Sequence, residues 1–114
     1  HKGYHVILTP GIYHLESAIK VKRDDISILG IGFPTLVSAN GNSCIKVGSV
    51  NGVRIAGILL EAGTETAPTL LKWGKKCDKL SNGFGFLYDC FARVGGPNNS
   101  RIVQVKAKDM VQIN

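Results

Sequence analysis

Ile19-Lys20-Val21, Ile26-Ser27-Ile28 and Gly30 recur further along the chain as Ile45-Lys46-Val47, Val53-Arg54-Ile55 and Gly57, at offsets of 26 and 27. Each member is a short β-branched pulse in which apolar and polar residues alternate, the period of a strand. The return of the whole group in the same order at a nearly fixed offset marks a structural repeat. Beyond it, Ile55, Leu59 and Gly63 are matched by Leu87, Phe91 and Gly95 at an offset of 32, and Leu71-x-Trp73 by Val103-x-Val105 at the same offset. Leu87 to Ile113 returns to 26. The chain therefore reads as a repeat with a period near 26, stretched once by an insertion around Lys75 to Asn82, whose loop runs on to Gly83.

A coil of three short strands fits a period of this length. Equivalent strands of successive coils then stack in parallel at about 4.8 Å, and alternate side chains fill a central column. The spacing predicts one inner ladder of Ile19, Ile45, Leu71 and Val103, and another of Ile28, Ile55, Leu87 and Ile113. Trp73, the sole tryptophan, falls on an inner ladder with Val47 and Val105, which favours core packing over sugar stacking. Insertions belong in turns, because a ladder cannot shift by one residue without turning its apolar side chains outward. The separators Lys22-Arg23-Asp24-Asp25 and Gly48-Ser49-Val50-Asn51-Gly52 match in position, as stacked corners would. An antiparallel sandwich or small barrel also uses short strands and Gly/Pro turns, but two-residue hairpin signals are scarce. Helix is disfavoured throughout; the one doubtful stretch, Glu61 to Trp73, carries Gly63, Thr64, Thr66, Pro68 and Thr69. The reading is all-β: a parallel β-helix solenoid of about four coils, one segment spanning residues 1–114 and belonging to a longer helix.

With 44% hydrophobic and 19% charged residues and 14 glycines, the 114-residue chain is neither a disordered polar chain nor a coiled coil. No apolar run reaches the ~20 residues of a membrane helix. The net charge of +6 includes Lys20, Lys22, Arg23, Lys72, Lys75, Lys76, Lys79, Lys106 and Lys108. Such an excess attracts anionic polymers or simply solvates a surface. The lack of an Arg-rich or aromatic-interleaved stripe favours the solvated surface and speaks against a nucleic-acid partner. Of three cysteines, Cys77 and Cys90 flank a Gly-containing loop and are the expected pair, leaving Cys44 as a buried thiol. Asn98-Asn99-Ser100 is a glycosylation sequon after a Gly-Gly-Pro turn.

His5-Val6-Ile7-Leu8-Thr9-Pro10-Gly11-Ile12-Tyr13 resembles the opening coil of the pectate-lyase-like right-handed parallel β-helix superfamily. The pulses Ile19-Lys20-Val21 and Ile26-Ser27-Ile28-Leu29-Gly30-Ile31-Gly32 are similar to the coil that follows in those proteins. Gly52 to Gly63 and Leu87 to Gly96 resemble secreted microbial proteins related to family 55 exo-1,3-β-glucanases, some of which carry discoidin-type carbohydrate-binding modules. The resemblance covers nearly the whole chain. It implies right-handed coils, a secreted or cell-surface location, a polysaccharide or glycan partner, no cofactor, and a place in the first coils of a larger helix with catalytic groups on later ones. Relatives in that superfamily also include non-enzymatic tailspikes and adhesins, so fold alone does not set the activity.

Glycoside hydrolysis needs two carboxyl groups about 5–10 Å apart across a sugar. Asp89 stacks above Gly57, and Arg93 lies four residues on, so the two read as an acid with its partner or as a structural bracket around a turn. Glu61 and Glu65 read as solvated loop acids, with Glu61 a weaker candidate sugar ligand. Tyr4, Tyr13 and Tyr88 are the better candidates for a sugar platform, Tyr88 because it alternates outward from Leu87. Asp24 and Asp25 read as turn formers, and no clustered acids suit calcium. His5 and His14 flank Pro10-Gly11 but make a poor zinc site without a third ligand, so no metal is expected. Two functions follow: the first coils of a secreted polysaccharide-acting enzyme, hydrolase- or lyase-like, with catalysis elsewhere, or a non-enzymatic β-helix subunit of a filament or adhesin. In either case the stack at Val111 to Ile113 calls for a cover of further coils, a second copy or a cap.

Overall fold

The computed structural model describes residues 4–74 and 85–94, together with the backbone of 107–113. The described residues hold twelve short strands and no helix. They are β1 (Val6–Leu8), β2 (Ile12–Leu15), β3 (Ile19–Val21), β4 (Ser27–Gly30), β5 (Thr35–Ser38), β6 (Ile45–Val47), β7 (Arg54–Ala56), β8 (Leu59–Glu61), β9 (Ala67–Trp73), β10 (Phe86–Tyr88), β11 (Phe91–Arg93) and β12 (Ala107–Ile113). Every third strand pairs in parallel, giving three four-stranded sheets ordered β1-β4-β7-β10, β2-β5-β8-β11 and β3-β6-β9-β12. The architecture is the expected parallel β-helix, each coil contributing one strand to each of three sheets.

The register follows the inner ladders. On the first sheet Val6, Ile28, Ile55 and Leu87 are stacked. On the second, Tyr13, Leu36, Leu60 and Ala92 are stacked. On the third, Ile19, Ile45 and Leu71 are stacked as the repeat requires. These columns meet in one apolar core, in which Ile28, Leu36, Ile45, Ile55, Ile58, Leu70 and Leu71 are fully buried. Such side chains each contribute roughly 1.5–3 kcal/mol by leaving water.

The last coil departs from expectation. Leu71 pairs with Val111 and Trp73 with Ile113, so Ile113 stacks in the third sheet and not above Leu87. Val103 and Val105, the expected partners, lie outside the described residues, as does the Lys75–Gly83 loop. Val111 is one coil beyond Leu71 yet well past the point that even the stretched repeat would reach, so the fourth coil carries a second long insertion after Arg93. Val103-x-Val105 and Val111-x-Ile113 present the same alternation; the seven-residue match of β12 to the seven-residue β9 selects the later one.

Corners stack as the separators predicted. The Asp24 carboxylate accepts the N–H of Asn51 at 2.8 Å, and the Asp25 N–H donates to the Asn51 carbonyl at 2.8 Å. Asp25 takes a left-handed φ of 60°, as Asp tolerates in turns. The next sharp corner shows why the repeat carries glycine. A side chain on Gly30 would fall on the Gly57 carbonyl oxygen, and Gly57 itself sits at φ 69°. Polar groups inside the stack are paired: Ser43 and Thr69 hydroxyls lie 3.0 Å apart, one coil above the other.

Candidate glycan-contact face

The expected site residues fall on the outer surface of the third and fourth coils, along β10, the following corner and β11. Alternation sends Leu87 toward the ladder and its neighbours Phe86 and Tyr88 outward. Their rings stack at 5.8 Å with planes 10° apart, and the Arg54 guanidinium, in register one coil away, lies 5.2 Å from the Phe86 ring centre. At this contact the ring face attracts the cation. Across the corner, Phe91 packs on Phe33 with ring centres 5.4 Å apart. Tyr88, Phe91 and Phe33 are each at least half exposed (52%, 56% and 50%), so these rings are surface, not core. Sequence reading found Tyr88 but missed Phe33, Phe86 and Phe91, although outward alternation from Leu87 points to Phe86 as directly as to Tyr88.

Asp89 occupies the corner between β10 and β11 at φ 48°, directly after Tyr88 and in step with Gly57, as the offset predicted. Its side chain is exposed. Arg93 does not serve it. Arg93 Nη1 lies 3.2 Å from Glu61 Oε1, one coil below and in register. The expected Asp89–Arg93 bracket is therefore replaced by a Glu61–Arg93 bridge, because neighbours in a solenoid are set by the coil offset and not by separation along the chain. Glu61 is also not a solvated loop acid: it ends β8 and is 7% exposed. Its charge is balanced by Arg93, so it is a poor half of a hydrolytic acid pair. Glu65 is exposed.

The other candidates separate clearly. Tyr13 is an inner-column residue whose hydroxyl donates to the Thr9 carbonyl at 2.8 Å, which removes it as a platform; Tyr4 is exposed. His5 Nδ1 accepts the Ser27 N–H at 3.1 Å, while His14 faces outward on β2. Among the described residues no three His, Cys, Asp or Glu side chains gather at a metal-binding spacing. Cys44 is buried, and loss of hydration pushes its thiol up to about 12. Among the described residues Cys90 is bonded to no other cysteine; burial first, and the adjacent Asp89 charge, raise its thiol above the ordinary value. Cys77, its expected partner, and Asn98 lie outside the described residues. Trp73 packs against the core in register with Val47, as expected.

A row of exposed rings edged by one carboxylate and by guanidinium groups suits the apolar face and the hydroxyls of a pyranose. These rings form an exposed aromatic face on the β-helix wall. The class is that of pectate-lyase-like solenoids, and the chain belongs to the LAM55 pectate lyase-like domain family, whose model matches residues 1–114. It is 38% identical over 98 residues to an exo-beta-1,3-glucanase of Streptomyces sp. (strain SirexAA-E / ActE), covering 83% of this chain and 16% of that protein. Among solved structures it resembles a variant of sacteLam55A from Streptomyces sp. SirexAA-E in complex with glucose (TM-score 0.85, 33% identity, 96% of this chain and 19% of the other). It also resembles sacteLam55A itself (TM-score 0.76, 35% identity, 80% of this chain and 17% of the other). The chain thus spans less than a fifth of the length of these relatives.

Proposed function

We propose that this chain is the β-helix wall of an extracellular glycoside hydrolase acting on 1,3-β-glucan, supplying scaffold and sugar contacts while the acid pair lies elsewhere in the protein. The family match over residues 1–114, together with 38% identity to an exo-beta-1,3-glucanase, carries the reading. The site is consistent with this division of labour. Glu61 is held in an ion pair, whereas Tyr88, Phe91 and Phe33 are free to face a ligand. Hydrolysis would draw on Asp89 only as a hydrogen-bond acceptor for sugar hydroxyls. The test is incubation of the intact protein with laminarin, a 1,3-β-glucan, and assay of released glucose. Release of glucose supports the reading; an intact polymer after prolonged incubation overturns it. Recovery of the native protein from culture medium rather than from cells tests its location.

A further inference from the structure

The third sheet carries on its outer surface a feature that glucan contact does not use. Lys20, Lys46 and Lys72 occupy the same register position on β3, β6 and β9, each between two core residues. They form a lysine column with one ammonium-bearing side chain per coil, at the ~4.8 Å step of parallel strands. Like charges directly opposite on neighbouring strands are unfavourable, and an anion bound along the column would relieve the repulsion. It lines a groove of about 570 Å³ together with Lys22, Val21, Val47, Gly48, Ser49, Val50 and Gly74. Among the described residues no carboxylate lines that groove. Lys20 and Lys46 are exposed and Lys72 is half-buried along the floor.

We infer that this groove binds an acidic polysaccharide, a chain of uronic acid residues laid along the coil axis with carboxylates facing the lysine column. The step between coils is of the order of one sugar residue in an extended chain. The described lining holds four ammonium groups and no guanidinium, a set of compact point charges that pairs with carboxylates spaced along a polymer. No aromatic ring lines the groove among the described residues, so single-stranded nucleic acid lacks its stacking platform. A peptide strand added to this sheet would pair along β3, its terminal described strand, and would lie beside Lys20 without crossing Lys46 and Lys72, since β6 and β9 already pair on both edges. The consequence is a glucan-acting protein held on an anionic matrix by a wall separate from its sugar-contact rings.

The test is affinity electrophoresis of the intact protein in gels containing polygalacturonate, with laminarin and single-stranded DNA as comparison polymers. Polygalacturonate is expected to retard the protein at low salt, with retardation fading as salt rises past physiological strength. The triple variant K20Q/K46Q/K72Q is expected to bind polygalacturonate at least tenfold more weakly, and K20R/K46R/K72R to keep most of the binding. Retardation unchanged in the glutamine variant overturns the inference, as does tighter binding to DNA than to polygalacturonate at equal salt. Glucose release from laminarin, measured on the same samples, is expected to be unchanged in all three proteins, so a failure of the glucanase reading is separately visible.

Discussion

Replacing Ile28 with Ala, and separately Leu29 with Ala, tests which face of the first sheet is the inside. Ile28 is 1% exposed, enclosed between Val6 and Ile55 in the inner column, whereas Leu29 beside it faces outward and is 44% exposed. Ile28→Ala removes three carbons, about 2.4 kcal/mol of transfer free energy at about 0.8 kcal/mol per buried methylene. A cavity of roughly 50 Å³ adds about 1.2 kcal/mol at about 24 cal/mol per Å³, for a total near 3–4 kcal/mol. Leu29→Ala leaves no enclosed cavity and gives up only part of its transfer term, about 1 kcal/mol. Urea unfolding of each variant, followed by far-ultraviolet circular dichroism and by Trp73 fluorescence, measures the difference. Agreement of the two probes is needed because stacked coils can unfold in stages. A one-residue slip of β4 would exchange the two side chains between faces. A Leu29→Ala cost equal to or larger than that of Ile28→Ala would refute the register.

Three further outcomes follow. Arg93→Ala leaves the nearly buried Glu61 carboxylate unpaired and should cost about 1–2 kcal/mol, whereas E61Q/R93A should recover part of that loss in a double-mutant cycle. Cys44 should resist alkylation at pH 8 until the protein is denatured. Because its folded pKa of about 12 lies above the ordinary 9.0, the folded state holds the proton more tightly, and its contribution to stability should be lost as pH rises from about 9 toward 12; a flat profile there contradicts the buried placement. Tyr88→Ala and Phe91→Ala should weaken retention on laminarin several-fold in affinity gels while leaving the unfolding midpoint little changed, since both rings are more than half exposed.

The coil architecture was legible because Ile19, Ile45 and Leu71, or Ile28 and Ile55, must sit in a dry column, and a dry column tolerates few residue types. Where the chain offered two equal alternations, Val103-x-Val105 and Val111-x-Ile113, periodicity had no means of choosing between them, and the earlier pulse was the wrong partner for Leu71. The functional face was legible in position but not in pairing. Asp89 and Arg93 are neighbours along the chain, and that proximity suggested a contact. The stretched repeat that sets Leu87 over Ile55 had already placed Arg93 over Glu61, where the bridge forms. The lysine column was equally available, since the second residue of Ile19-Lys20-Val21, Ile45-Lys46-Val47 and Leu71-Lys72-Trp73 is the same each time. Inner positions drew the reading, yet in a solenoid the outer positions stack just as strictly and carry the chemistry.

Coils stacked in register make neighbours of side chains that lie one full repeat apart along the chain. Paired histidines on the outer surface test this directly: Lys20→His with Lys46→His, Lys46→His with Lys72→His, and Lys20→His with Lys72→His, each heated with and without Zn²⁺. A metal held by both imidazoles binds only the folded state and raises the melting temperature. Stabilisation by zinc in the two adjacent pairs, and little in the pair two strands apart, is the predicted result. Zinc stabilisation strongest for Lys20→His with Lys72→His, or absent from both adjacent pairs, would contradict the stack.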